Sequence, residues 1–267
     1  IPLQARRPLP EFADVTHSFN GGKSRYHALQ AKFAWRIRGG LSLLSSLTLS
    51  QTPDHGAGSL EGGTSASTGN FPAPQNFYDL DADFGISPYH QPYTSTTSFV
   101  WNLPFTGAFA GGWQVSGINN LYTGEYVTFS YNPAAAFQVS GIQQDFRGAN
   151  NYRPNIVGDP LVPKSQRTVQ NWFNRDAVVI PTDPSQPFGN APRNSVRAPF
   201  FWQVDMAVAK RVSLGGASTV ELRAEFFNLF NRANFRAPNA NRSAGGFGTI
   251  TQTYDPRQVQ LGAKVSF

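Results

Sequence analysis

WQVDMAVAKRVSLGGASTVELRAEF, residues 202–226, alternates apolar and polar side chains along two segments that a glycine-containing turn at Leu214 to Ser218 separates. The apolar positions are Trp202, Val204, Met206, Val208 and Val212, followed by Val220, Leu222, Ala224 and Phe226. Between them lie Gln203, Asp205 and Arg211, then Glu221, Arg223 and Glu225. Successive side chains of a β-strand point to opposite faces, so this period of two predicts an antiparallel strand pair with one oily and one polar face.

The same alternation recurs along the rest of the chain. It predicts further strands at about 29–37, 41–50, 93–103, from 113 onward and 259–267. The segment from Trp113 is the least regular, because Gly117 and Ile118 interrupt its alternation. The sequence therefore predicts about seven strands.

The connections between these strands alternate between short and long. Glycine-containing turns follow the strands that end near residues 37, 104 and 213, whereas long Gly/Pro/Asn-rich loops cover about 52–92, 130–199 and 231–256. Antiparallel order places all the short turns at one side and all the long loops at the other. This asymmetry is typical of bacterial outer-membrane barrels, whose periplasmic turns are short and whose extracellular loops are long. We predict an all-β, antiparallel transmembrane β-barrel fold and an outer-membrane location.

Composition agrees with this prediction. Charged residues form 14% of the chain and aromatic residues 13%, with 25 Gly and 20 Pro, as expected for a protein rich in strands and loops. Without cysteine, the chain has no disulfides or thiolate metal sites. The net charge of +6 comes from scattered residues that form no basic stripe, so we expect no nucleic-acid partner.

Aromatic residues of the apolar face cluster near both strand ends. Near the short turns lie Trp35, Trp101 and Trp113, and near the long loops lie Tyr93, Trp202, Phe226 and Phe230. Membrane barrels carry such girdles at the two lipid–water interfaces. A soluble β-sandwich would place its buried aromatics in the middle of the strands.

Several segments resemble the C-terminal barrel of TonB-dependent outer-membrane receptors, specifically the Oar-like group with carboxypeptidase-regulatory-like N-terminal domains. They are YHALQAKFAWRIRGGLSLLSSLTLS, GWQVSGINNLYTGE, RPNIVGDP, WFN, FGNAPRNSVRAP, RAEFFNLFNRANF and DPRQVQLGAKVSF. The resemblance runs from about Tyr26 to Phe267, and its most specific parts are RAEFFNLFN and the ending from Asp255 to Phe267. The chain departs from the family at residues 83–101, where the family shows an Asp-rich, Arg-His stretch.

The resemblance implies that residues 1–267 are the C-terminal segment of one barrel domain of about 22 strands, so the seven strands form a partial barrel. Residues 1–23 would end an extracellular loop and 24–267 would supply strands and loops, while the plug, the TonB-contacting segment and the first strands are missing from the segment. The chain's end also resembles the signal recognised by the barrel assembly machinery: Val259, Leu261, Ala263, Val265 and Phe267.

Arginines make the longest loop basic: Arg147, Arg153, Arg167, Arg175, Arg193 and Arg197. We hypothesise that they contact lipopolysaccharide phosphates or an anionic ligand; simple solubility of an exposed loop explains them equally well.

Catalytic and metal-binding patterns are weak. Among His17, His27, His55 and His90 no two have metal-ligand spacing. The aspartates at 79, 81 and 83 depart from a calcium loop at the glycine and the final glutamate. A hydrolase with His55 or His90 near the outer rim stays open as an alternative. We expect no enzyme activity, cofactor or metal.

The resemblance implies active import: the long loops capture an unidentified extracellular ligand, and energy relayed by the TonB complex, through the missing N-terminal part, displaces the plug. The alternative is an adhesion or structural barrel without transport. The lipid and lipopolysaccharide of the bacterial cell outer membrane would surround either one.

Overall fold

The computed structural model describes residues 11, 21–55, 75–76, 79–132, 152–183 and 186–267. They form one antiparallel sheet of seven long strands, in which each strand pairs with the next one along the chain. The strands are β1 (His27–Ile37), β2 (Leu41–Gln51), β3 (Tyr93–Asn102), β4 (Trp113–Tyr122), β5 (Phe201–Gly215), β6 (Ser218–Phe227) and β7 (Gln258–Ser266). This confirms the predicted all-β, antiparallel fold. Among the described residues, no helix has the length and apolar character needed to cross a bilayer.

β4 differs from its prediction, because it runs without a break through Gly117 and Ile118. Gly117 lies opposite Phe99 of β3 and Met206 of β5. A Cβ added to Gly117 would come within 2.7 Å of the Phe99 ring, so that ring fills the space a side chain would occupy. The neighbouring aromatic thus compensates for the glycine and the ladder stays intact.

The three short connections lie at one edge of the sheet. Gly39 and Gly40 turn the chain between β1 and β2 with positive φ angles of 103° and 84°. The connection between β3 and β4, residues 103–112, is longer than a tight turn. It is held by Lys210 of β5, whose Nζ donates to the carbonyls of Ala108 and Phe109 at 2.9 Å.

Strand pairing gives the sheet one apolar and one polar face. Directly paired residues share a face, so the row Leu29, Leu49, Tyr93 belongs to one face and the row Lys32, Ser46, Thr96, Asn120 to the other. The polar face carries the predicted charged residues Arg211, Glu221, Arg223 and Glu225, with Arg211 and Glu221 paired at 2.7 Å. Much of the apolar face is exposed in this chain: Leu29 is 64% and Leu261 78% accessible.

At the opposite edge, the described parts of the three long connections (52–92, 123–200 and 228–257) form what we call the loop layer. The sequence predicts irregular loops here, but the layer contains three two-residue strand pairs and three single-turn 3₁₀ helices. The pairs are Pro53–Asp54 with Gly85–Ile86, Tyr126–Val127 with Val196–Arg197, and Asn155–Ile156 with Val178–Val179. The helices are Asp81–Asp83, Lys164–Gln166 and Arg175–Ala177. The loop layer has its own hydrophobic core of Phe129, Phe173, Val178, Val196 and Phe247.

Candidate functional site

A cavity of about 710 Å³ lies where the loop layer meets the ends of β4 and β5. Four cationic side chains line it: Lys164, Arg167, Arg197 and Arg232. Three aromatic side chains join them: Trp172, Phe200 and Phe235. No acidic residue is among the lining residues, so the cavity combines positive charge with apolar surface. We call it the rim cavity.

Trp172 lies at the centre of the wall that the loop layer contributes to the cavity. The guanidinium of Arg167 lies 5.5 Å from the centre of the Trp172 ring, and Arg167 Nε donates to the Val162 carbonyl at 2.6 Å. Trp172 Nε1 in turn donates to the carbonyl of Arg197 at 3.3 Å. Arg197 is exposed and lies 5.7 Å from the ring of its ladder partner Tyr126. Cation–π contacts of this kind hold the guanidinium groups in place without neutralising them.

Arg232 forms the wall nearest the sheet. Its guanidinium lies 5.9 Å from the Phe200 ring and 5.6 Å from the Trp202 ring, and Trp202 stacks on Phe230 at 5.4 Å. Trp202 belongs to the apolar face, because it pairs with Leu121 of β4. Arg232 therefore lies on the apolar side of the sheet, at its loop-layer edge.

The described residues provide no ion-pair partner for the positive charges of the rim cavity. In the part of the chain that the structure describes, none of the ion pairs involves Lys164, Arg167, Arg197 or Arg232. His90 is buried, and its ring stacks on that of Tyr126, the ladder partner of Arg197, with ring centroids 5.5 Å apart. Burial lowers the pKa of His90, and the charge of Arg197 lowers it further.

Two predicted anion-contact residues, Arg153 and Arg193, have a different place. They are only 5% and 9% exposed, and their guanidinium groups pair with Asp83 and Asp54. Arg193 also donates through Nε to the Asp83 carbonyl at 3.1 Å. Because both charges are desolvated and matched inside the loop layer, neither reaches solvent as the sequence hypothesis requires. They join the 52–92 connection to the 123–200 connection instead.

The other predicted arginines divide between the cavity and the surface. Arg167 and Arg197 line the rim cavity, whereas Arg175 is exposed and lies 5.9 Å from the Phe247 ring. Arg147 lies outside the described residues. Sequence reasoning missed Lys164 and Arg232. The sequence feature that could have identified Arg232 is its position between Phe230 and Phe235, shortly after a strand that ends in aromatic residues.

The predicted aromatic girdle forms two bands on the apolar face. At the short-turn edge lie Trp35, Trp101 and Trp113, the last two donating through Nε1 to the carbonyls of Gly39 at 3.2 Å and Phe109 at 2.9 Å. At the loop-layer edge, Tyr93 pairs with Leu49, Trp202 with Leu121 and Phe226 with Met206, and Phe230 stacks on Trp202. An apolar ring with a hydrogen-bonded polar tip suits an interface, but contact with lipid stays a prediction.

The predicted assembly signal lies at the end of the sheet. Val259, Leu261, Ala263 and Val265 of β7 pair with the apolar row Phe226, Ala224, Leu222 and Val220 of β6. Phe267 follows β7 and is 95% exposed. Its recognition by the assembly machinery stays a prediction.

The aspartates at 79, 81 and 83 do not converge. Asp83 pairs with Arg153, Asp81 contacts His55 at 3.3 Å, and Asp79 accepts from the Ala82 amide at 3.2 Å. Within the described ranges, no three His, Asp or Glu side chains are grouped closely enough to hold a metal ion.

Comparison with known proteins gives one family. The family model described as "Outer membrane beta barrel domain" matches residues 1–260. A comparison with curated proteins found no match.

Proposed function

Because the chain belongs to the outer membrane β-barrel domain family and is located in the bacterial outer membrane, we propose that it supplies barrel wall and extracellular loops to a TonB-dependent receptor. The receptor would import an extracellular ligand that this chain does not identify. In this role the chain would carry out no catalytic step and would need no cofactor. Its partners would be outer-membrane lipid, the barrel assembly machinery during insertion, and the TonB complex.

The observation that carries this proposal is the order within the loop layer. Loops that only connect strands need no shared core, yet the described parts of these connections bury Phe129, Phe173 and Phe247 together. Two buried ion pairs, Arg153 with Asp83 and Arg193 with Asp54, tie the connections to one another. Rigid loops keep binding groups in place before a ligand arrives, which lowers the entropy lost on binding.

The polar face supports the same proposal. It carries alternating charges such as Arg211 with Glu221 and Arg223 with Glu225, each pair at 2.7 Å. Interiors of large barrels are polar because they hold water or a plug that must move. An adhesion or structural barrel could share this wall but would have no use for TonB.

The test is a binding measurement with the TonB periplasmic domain as the probe. The full-length protein, purified from outer membranes in detergent, would be titrated with that domain by calorimetry, with an outer-membrane porin as the control. We expect saturable binding by the full-length protein and none by the porin. Absence of binding would overturn the import proposal and favour the adhesion or structural barrel.

A further inference from the structure

The position of the rim cavity limits what can enter it. Arg232 lies against Phe200 and Trp202 on the apolar side of the sheet, at the edge that carries the long loops. In a barrel of this family the apolar face contacts lipid, and the long loops are extracellular. The side of the cavity that Arg232 and Phe200 form therefore lies on the outside of the wall, next to the edge where we expect the outer leaflet's headgroups.

The chemistry of the cavity fits phosphate. Arg167, Arg197 and Arg232 present guanidinium forks, and Lys164 adds an ammonium group, with no carboxylate in the lining. Guanidinium forks match phosphate oxygens in geometry and form charge-assisted hydrogen bonds with them. The described residues supply no competing counterion to these four cations.

The apolar lining fits a ligand that is not phosphate alone. Trp172, Phe200 and Phe235 share the cavity with the cations. Phe200 is 40% exposed, and the adjoining Phe230 is 60% exposed. Aromatic rings at a membrane interface pack against sugar rings and upper acyl segments, which a free inorganic ion lacks.

We propose that the rim cavity binds the phosphorylated headgroup of an outer-leaflet glycolipid, with Arg167, Arg197, Arg232 and Lys164 contacting its phosphates. We expect this site to act independently of import, because the side that Arg232 and Phe200 form lies on the outside of the wall. It orders the lipid next to the loop layer.

The experiment uses the full-length protein in nanodiscs and measures bound lipopolysaccharide by native mass spectrometry. Lipopolysaccharide carrying both lipid A phosphates would be compared with the enzymatically dephosphorylated form. The double variant Arg167→Gln/Arg232→Gln removes two of the cations. Its control is Arg175→Gln, which removes an exposed arginine of the same layer that does not line the cavity.

We expect the double variant to bind the phosphorylated lipid about a hundredfold more weakly, since each of the two charge-assisted contacts contributes on the order of a tenfold factor. Dephosphorylation should cause a similar loss in the wild type, and Arg175→Gln should change little. Equal binding by wild type and double variant would overturn the proposal. So would inorganic phosphate that competes at the lipid's own concentration, because the cavity would then be a site for a soluble ion.

Folding of the variants is checked by hydrogen exchange of the loop layer. If the double variant loses protection there, Lys164→Gln provides the second test, because Lys164 is exposed and we expect its removal to leave the packing of the loop layer unchanged. A smaller loss of phosphorylated lipid, with normal protection, supports the site. Unchanged binding by Lys164→Gln would then count against it.

Discussion

The sheet and the loop layer place the same kinds of side chain in opposite surroundings. On the apolar face of the sheet, Leu29 is 64% and Leu261 78% exposed, whereas in the loop layer Phe129 and Phe173 are 0% and 1% exposed. The protein itself supplies the apolar surroundings of the loop layer, whereas we expect the bilayer to supply those of the sheet. On that expectation, burial against protein stabilises the loop layer and contact with lipid stabilises the sheet.

The largest expected difference between the two regions comes from the same truncation made in each. Phe173→Ala empties a site packed by Phe129 at 4.8 Å and Phe247 at 5.5 Å, so we expect a local loss of about 3–5 kcal/mol, including a cavity term. Phe33 on the sheet is 55% exposed, so we expect Phe33→Ala to leave no cavity, because lipid would fill the space. Hydrogen exchange of the membrane-embedded protein should show lost loop protection in the first variant only. Equal loss in both would mean that the regions unfold together.

An added arginine should lower stability by different amounts on the two faces of the sheet. Leu47 lies near the middle of β2 on the apolar face, paired with Ala31 and Ser95, and Ser46 lies beside it on the polar face. Leu47→Arg should cost about 2–4 kcal/mol, the cost of placing arginine at the bilayer midplane, while Ser46→Arg should cost little. Reversible urea unfolding in lipid would measure both. Similar costs at the two positions would contradict the assignment of faces.

Gly117 tests how tightly the sheet packs between neighbouring strands. An added Cβ would lie 2.7 Å from the Phe99 ring and 3.1 Å from the Asp205 carbonyl oxygen, so Gly117→Ala should cost about 1–3 kcal/mol by overpacking. Gly262→Ala is the matched control, since nothing lies within 4 Å of its added Cβ. The same unfolding measurement applies. A neutral Gly117→Ala would show that Phe99 moves aside freely.

The smallest expected effect is a pH dependence confined to the loop layer. Burial raises the pKa of Tyr131 to about 12, and its hydroxyl donates to the Pro187 carbonyl. A raised pKa means that the folded layer favours the neutral phenol, so this stability is complete below pH 10 and is lost as the pH rises towards 12. Hydrogen exchange of the loop layer, corrected for the intrinsic pH dependence of exchange, should show this loss of stability. Tyr131→Phe should remove this pH dependence. If the pH dependence persists in that variant, it belongs to another titratable group.

The sheet was predictable from sequence because its signal is local. Alternation along 202–226 depends only on neighbours two positions apart, and the structure confirms both strands and their faces. β4 was the exception, since its continuity depends on Phe99, a residue of another strand. Periodicity cannot show a contact between strands.

The loop layer was not predictable because its contacts are distant in sequence. Arg193 and Asp54 are separated by 139 residues, and Arg153 and Asp83 by 70. The sequence hypothesis therefore included buried and exposed arginines in a single set. Two of its members, Arg167 and Arg197, line the rim cavity, but composition alone could not exclude Arg153 and Arg193.

The buried pair of Arg193 and Asp54 also has a consequence for the order of folding. Asp54 follows β2 and Arg193 precedes β5, so two further strands, β3 and β4, lie between the two partners along the chain. Until Arg193 arrives, the carboxylate must stay hydrated and the first long connection must stay open. We therefore expect the extracellular surface to mature late and in one cooperative step, after the wall beneath it has been threaded through the membrane.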